Sequence, residues 1–128
     1  MTTQVTHGIQ ISVKTFYKPE FSNPNRNHFL FAYRITIENN SQETVQLLHR
    51  YWHIFDSNAE AYEVKGDGVV GFQPILLPGD VHEYESACEL KSEIGRMYGS
   101  YTMQKKSDQS LFKVHVPEFS LVAPMKLN

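Results

Sequence analysis

A cluster of glycines and prolines near the middle of the chain restricts its fold more than any other feature. Gly66, Gly68 and Gly71 form a GxGxxG pattern, which in a dinucleotide-binding fold opens a helix whose N-terminus holds the pyrophosphate. Here Pro74 and Pro78 follow the last glycine closely, and proline breaks a helix interior. The pattern therefore excludes a Rossmann fold, and we expect the glycines to lie in a loop between strands.

Hydrophobic residues recur at every second position in several short segments, which is typical of strands with one face in the core. The clearest alternation covers residues 29–38, and further strands are predicted over residues 9–15, 98–103 and 112–116. No segment shows a sustained helical period with caps at both ends. Strands spaced about ten residues apart predict an all-β sandwich or barrel.

Residues 45–55 depart from simple alternation because both faces of the predicted strand carry large or apolar side chains. Either a β-bulge shifts the phase of the strand, or both of its faces are covered. Trp52 falls where the third strand of an immunoglobulin-like sandwich carries a core tryptophan. Residues 77–80, with the sequence LPGD, match a type II turn.

The composition is that of one domain spanning residues 1–128, and 41% of its residues are hydrophobic. The net charge is −2 and the basic residues are scattered, which argues against binding nucleic acid through its phosphates. No signal peptide and no membrane span is apparent. Cys88 is the single cysteine, so no internal disulfide can form and a cytoplasmic location is expected.

Seven segments, in order along nearly the whole chain, together resemble the ApaG family. They are FAYRITIEN at 31–39, VQLL at 45–48, RYW at 50–52, GDGVVGFQP at 66–74, LPGD at 77–80, MYGSY at 97–101 and VHVPEFSL at 114–121. The resemblance implies an immunoglobulin/fibronectin type III-like β-sandwich of two antiparallel sheets. Bacterial members are linked to cobalt tolerance and magnesium efflux, and eukaryotic relatives carry the domain in proteins where it is implicated in protein binding. No catalytic residues are established for the family.

The glycine loop has two possible functions. Gly66, Gly68 and Gly71 either permit positive φ and close packing, or their N–H groups form a nest that binds a phosphate or nucleotide. Arg50 would assist such a site if the fold brings it near. Asp67 counts against an anionic ligand because it places negative charge in the same loop.

The sequence gives weaker evidence for metal binding and for catalysis than for a function of the glycine loop. His49 and His53 share one face of a strand but lie about 13 Å apart, so one ion would need a further ligand such as His82 or His115. Cys88 has no sequence environment that lowers its pKa, and Glu83 and Glu85 have the spacing of solvated strand carboxylates. We therefore predict no metal, no cofactor and no enzymatic activity.

Recognition of a protein is the remaining function, because aromatic residues exceed what one sandwich core requires and exposed aromatics anchor protein interfaces. The surplus comprises Tyr17, Phe21, Tyr51, Phe55, Tyr62, Phe72, Tyr84 and Tyr98. An open sandwich also presents edge strands that pair with a partner or with a second copy of the chain. The sequence therefore predicts a non-catalytic protein-binding module. Its alternatives are phosphate or nucleotide binding at residues 66–71 and a role in cobalt or magnesium homeostasis.

Overall fold

The computed structural model describes residues 1–58 and 60–124, which are dominated by strands. Its strands are β1 (Thr2–Thr6), β2 (Ile9–Tyr17), β3 (Phe29–Asn39), β4 (Val45–Asp56), β5 (Glu60–Asp67), β6 (Ile75–Leu76), β7 (Val81–Leu90), β8 (Ile94–Lys105) and β9 (Leu111–Val122). Two short 3₁₀ helices, Pro19–Phe21 and Pro24–Arg26, lie between β2 and β3. No helix in this described part has the length and apolar character needed to cross a membrane.

The strands form two antiparallel sheets. One sheet has the order β1-β2-β3-β7, and the other has the order β5-β4-β8-β9 with β6 also paired to β4. Side chains from the inner faces of both sheets make one buried cluster. The predicted all-β sandwich of two antiparallel sheets is therefore confirmed, while the finer likeness to immunoglobulin and fibronectin type III domains stays a prediction.

The predicted strands lie within β2, β3, β4, β8 and β9. In β3 the side chains of Phe31, Ile35 and Ile37 are at most 1% exposed, because their period of two directs them all inward. In β4 the pairing with β8 shifts register between Leu47 and His49. The bulge is thus the correct explanation of the irregular alternation, and it leaves Trp52 only 3% exposed.

The two flanks of the sandwich differ. On one flank β9 packs along β1 and β2, and the N–H of His115 donates to Oγ1 of Thr6. On the other flank, within the described residues, β7 pairs only with β3 and β5 pairs only with β4. No backbone pairing therefore joins β5 to β7 in the described residues, and both of these strands are sheet edges; we call this side of the sandwich the open flank.

Candidate functional site

The glycine loop joins β5 to β6 and contains a tight two-residue turn. Val69 and Phe72 exchange two backbone hydrogen bonds of 2.8 and 3.0 Å. The residues between them, Val70 and Gly71, both have positive φ, at 48° and 82°. Positive φ at both central positions is the requirement of a type I′ turn. No helix begins at Gly71, so the loop joins strands as predicted.

Gly66 and Gly68 each occupy a position where a side chain would collide. A Cβ on Gly66 would lie 2.6 Å from Cζ of Arg50, and a Cβ on Gly68 would lie 2.1 Å from the carbonyl oxygen of Phe72. Gly68 also has a φ of 62°, which favours glycine. Close packing against backbone and a positive φ therefore account for Gly68 without a ligand, whereas at Gly66 the contact is with the guanidinium end of the Arg50 side chain.

Arg50 reaches the loop, and its guanidinium contacts backbone carbonyls. Its Nη1 donates to the carbonyl oxygens of Asp67 at 2.9 Å and of Gly68 at 3.1 Å. The N–H groups of Gly68, Val69 and Phe72 already donate to backbone carbonyls. Several of the groups that would bind an anion, including the N–H of Gly68 and Nη1 of Arg50, are thus engaged within the protein. This arrangement favours a structural role, and phosphate binding at Gly66, Gly68, Gly71 and Arg50 stays a prediction.

We expect Arg50→Met to lower the free energy of unfolding by about 2 kcal/mol, because two loop carbonyls lose a charged donor. Methionine retains much of the aliphatic stem, so the loss reports mainly on the hydrogen bonds. The control is Arg26→Met at an exposed position of the 3₁₀ helix Pro24–Arg26, with an expected change within about 0.5 kcal/mol. Urea denaturation measures both variants, and equal effects would refute the assignment of Arg50 as a clamp on the loop.

Of the histidines named from the sequence, His53 and His115 line the same pocket, but the described residues do not bring three such ligands together. His49 Nδ1 lies 2.9 Å from a carboxylate oxygen of Asp67, and His53 Nδ1 lies 3.7 Å from one of Glu63. His115 belongs to β9, while His82 belongs to β7 of the other sheet. Over residues 1–58 and 60–124, no three His, Cys, Asp or Glu side chains are grouped to hold a metal ion. A role in cobalt or magnesium homeostasis stays a prediction of the family resemblance.

The candidate nucleophile and carboxylates have ordinary environments. Cys88 is 6% exposed, and burial raises the pKa of its thiol to about 11, so the reactive thiolate is scarce at neutral pH. Glu83 and Glu85 lie 3.8 and 3.5 Å from the guanidinium of Arg34 on the neighbouring strand. These contacts are those of a partly exposed ion-pair cluster, and the lack of enzymatic activity stays a prediction.

A cleft of about 280 Å³ opens on the flank between β5 and β7. Its walls are mainly apolar and aromatic, formed by Tyr33, Trp52, Ile54, Tyr62, Val64 and Met97, and Arg50 and residues 86–89 of β7 also line it. Burial raises the pKa of the Tyr33 hydroxyl and brings that of Tyr62 to about 12. The hydroxyl groups of the cleft therefore remain uncharged at neutral pH.

This cleft was not predicted from the sequence, because it depends on which strands become neighbours. The one local signal was the small size of Ser86 and Cys88, which take alternate positions in β7 on its inward side. Small inward side chains on an edge strand leave space that a core strand would fill with larger ones. The open flank is thus a second feature, besides the glycine loop, that a partner can reach.

Exposed apolar side chains concentrate directly after the glycine loop, in residues 70–77, which we call the apolar segment. Its exposed members are Val70 at 56%, Phe72 at 66%, Ile75 at 51% and Leu77 at 54%. They are four of the fourteen large hydrophobic side chains that are exposed in the described part of the chain. The backbone beneath them is fixed, because Leu47 N donates to Pro74 O and Asn39 Nδ2 donates to Leu76 O.

Known proteins resemble this chain over most of its length. The ApaG domain matches residues 19–105. The Protein ApaG of Brucella canis is 48% identical and that of Brucella anthropi is 51% identical, each over 124 residues that cover 97% of this chain and 95% of the relative. A crystal structure described as the putative ApaA protein from Bordetella pertussis matches with a TM-score of 0.87 and 38% identity, covering 92% of this chain and 95% of that one. The chain therefore belongs to the ApaG domain family.

Proposed function

We propose that the protein is a non-catalytic module that binds a partner protein through the apolar segment. The observation that carries this proposal is the concentration of side chains more than half exposed at Val70, Phe72, Ile75 and Leu77. Large apolar patches on soluble proteins mark interaction surfaces, since removing them from water contributes about 25 cal/mol per Å². The hydrogen-bonded backbone of the segment reduces the entropy lost on binding.

The distribution of the surplus aromatic residues supports the same function. Phe21, Phe55, Tyr62, Phe72 and Tyr98 are exposed, whereas Tyr17 and Tyr84 pack against the core. Phe72 has the largest exposed fraction of these, 66%, and rigid aromatic anchors dominate the energetics of protein interfaces. We infer that Phe72 is the anchor of the binding surface. A second copy of the chain is the alternative partner, and the cytoplasmic location and lack of nucleic-acid binding stay predictions.

We expect Phe72→Ser to reduce partner capture at least fivefold, because serine removes the apolar anchor. Photo-crosslinking in cell extract, followed by quantitative mass spectrometry, measures the recovery of the same proteins from each variant. Phe21→Ser is the matched control, because Phe21 is also a phenylalanine and is 63% exposed but lies in the 3₁₀ helix Pro19–Phe21. Equal recovery from both variants would contradict the proposal. Sedimentation of the purified protein measures whether it forms a dimer, and so tests the alternative in which the partner is a second copy of the chain.

A further inference from the structure

We propose that the open flank is a second binding site, which takes an extended segment of a partner protein as an added strand beside β7. β7 has ten residues and lies at the edge of its sheet. About half of the N–H and C=O groups of an edge strand point away from the sheet, and strand addition uses these groups to bind a peptide. The site is separate from the apolar segment, so either proposal can fail without the other.

The side chains of β7 determine what each face of the added strand would meet. Even positions of β7 face inward, including half-buried Ser86 and buried Cys88, whereas the odd positions from 81 to 89 are exposed. Side chains directly opposite on neighbouring strands share a face. The inward side chains of the added strand would therefore enter the cleft, near Trp52 and Tyr62.

The cleft requires apolar side chains from that strand. Its walls are mainly aromatic and aliphatic, and Arg50, which also lines it, already donates to the carbonyls of Asp67 and Gly68. Its volume of about 280 Å³ lies just below the range of about 300–1,000 Å³ that is usual for small-molecule sites. The size and chemistry of the cleft are suited to apolar side chains carried on a peptide.

The outward side chains of β7 are acidic, so they favour basic residues on the same face of the added strand. Glu83, Glu85 and Glu89 have side chains that are 55%, 44% and 62% exposed, respectively. Arg34 is shared between Glu83 and Glu85, and His28 lies 3.2 Å from Glu89. Because these carboxylates outnumber the guanidinium, basic residues opposite them are favoured. The partner segment therefore alternates basic and apolar residues.

The same carboxylates disfavour a second copy of β7 as the occupant. In an antiparallel pair of two β7 strands centred on Ser86, Glu83 of one copy would lie opposite Glu89 of the other. Like charges directly opposite destabilise a strand pair. This repulsion favours a segment of a different protein as the occupant.

A synthetic nine-residue peptide that alternates lysine with valine or phenylalanine tests this site on the unaltered protein. Trp52 is the only tryptophan and lines the cleft, so we expect a saturable change in its fluorescence. Amide shifts in ¹⁵N-labelled protein should centre on residues 81–90. A peptide with glutamate in place of lysine should bind at least tenfold more weakly. Methylation of the edge-facing peptide nitrogens should weaken binding as much, because it removes strand hydrogen bonds.

Charge reversal supplies the matched variants. The double variant Glu83→Lys, Glu85→Lys should bind the lysine peptide about tenfold more weakly and should gain affinity for the glutamate peptide. Glu118→Lys, on β9 of the other sheet, should leave both affinities unchanged. Absent binding, shifts centred away from β7, or equal binding of the methylated peptide would overturn the proposal. If the protein dimerised without the peptide and the β7 amides were protected from hydrogen exchange in that dimer, the choice of a different protein as the occupant would be overturned. The methylation comparison remains decisive if the double variant does not fold.

Discussion

Replacing Gly68 with alanine is expected to lower the free energy of unfolding by about 3 kcal/mol. The φ of Gly68 is 62° and an added Cβ would lie 2.1 Å from the carbonyl oxygen of Phe72. That oxygen accepts the N–H of Val69 at 2.8 Å, so it cannot withdraw without breaking the turn. A left-handed conformation costs a non-glycine residue about 1–3 kcal/mol, and overpacking adds about 1–3 kcal/mol. Urea denaturation followed by circular dichroism measures the change.

Gly71→Ala is the matched control, because it separates the cost of a positive φ from the cost of a steric clash within the same loop. Gly71 has a φ of 82°, but an added Cβ would meet nothing within 4 Å. Only the conformational cost remains, and we expect a loss of about 1 kcal/mol. Equal losses for the two variants would refute the packing explanation of Gly68. The pair therefore tests whether the GxGxxG pattern in this chain reflects backbone geometry.

The features that the sequence predicted correctly are local ones. The alternation of hydrophobic and polar residues predicted where the strands lie, since the direction of each side chain depends on its own position in the pleat. The type II turn is present because Gly79 has a φ of 90° and Asp80 N donates to Leu77 O. The bulge in β4 was one of two alternatives, and only pairing with β8 identified it. Local pattern was thus sufficient wherever a feature depended on few consecutive residues.

The candidate sites required information that no short segment contains. Arg50 and Gly66 are direct partners in the register of β4 and β5, and this pairing places the guanidinium under the loop with its donors on carbonyls. The open flank arises because β7 pairs with β3, which is distant along the chain, and lies at an edge. The sequence raised the possibility of an edge strand that binds a partner. It could not identify the strand, because the order of strands in a sheet is set by long-range packing.

Trp52→Ala is expected to have the largest effect of the single substitutions, a loss of about 4 kcal/mol in the free energy of unfolding. The indole is 3% exposed and contacts Tyr33, Tyr101 and Phe119 edge to face, with ring centroids 5.6, 6.2 and 5.8 Å away. Such aromatic pairs stabilise beyond the area that they bury. Gly99 on β8 lies against the same strand, since a Cβ there would collide with the backbone carbonyl of Tyr51 and would lie 3.1 Å from Cε3 of Trp52.

Collapse around the missing indole is restricted, because β4 is held between β5 and β8 by backbone pairing on both sides. The cost of a cavity depends on how far its walls can relax. We therefore expect the stability lost in Trp52→Ala to lie toward the upper end of the range for replacing a buried aromatic residue with alanine. Trp52→Phe keeps an aromatic ring and should lose only about 1–2 kcal/mol. Because both variants lack the only tryptophan, urea denaturation is followed by circular dichroism. If the two variants lost equal stability, the cavity left by the indole would not be the cause.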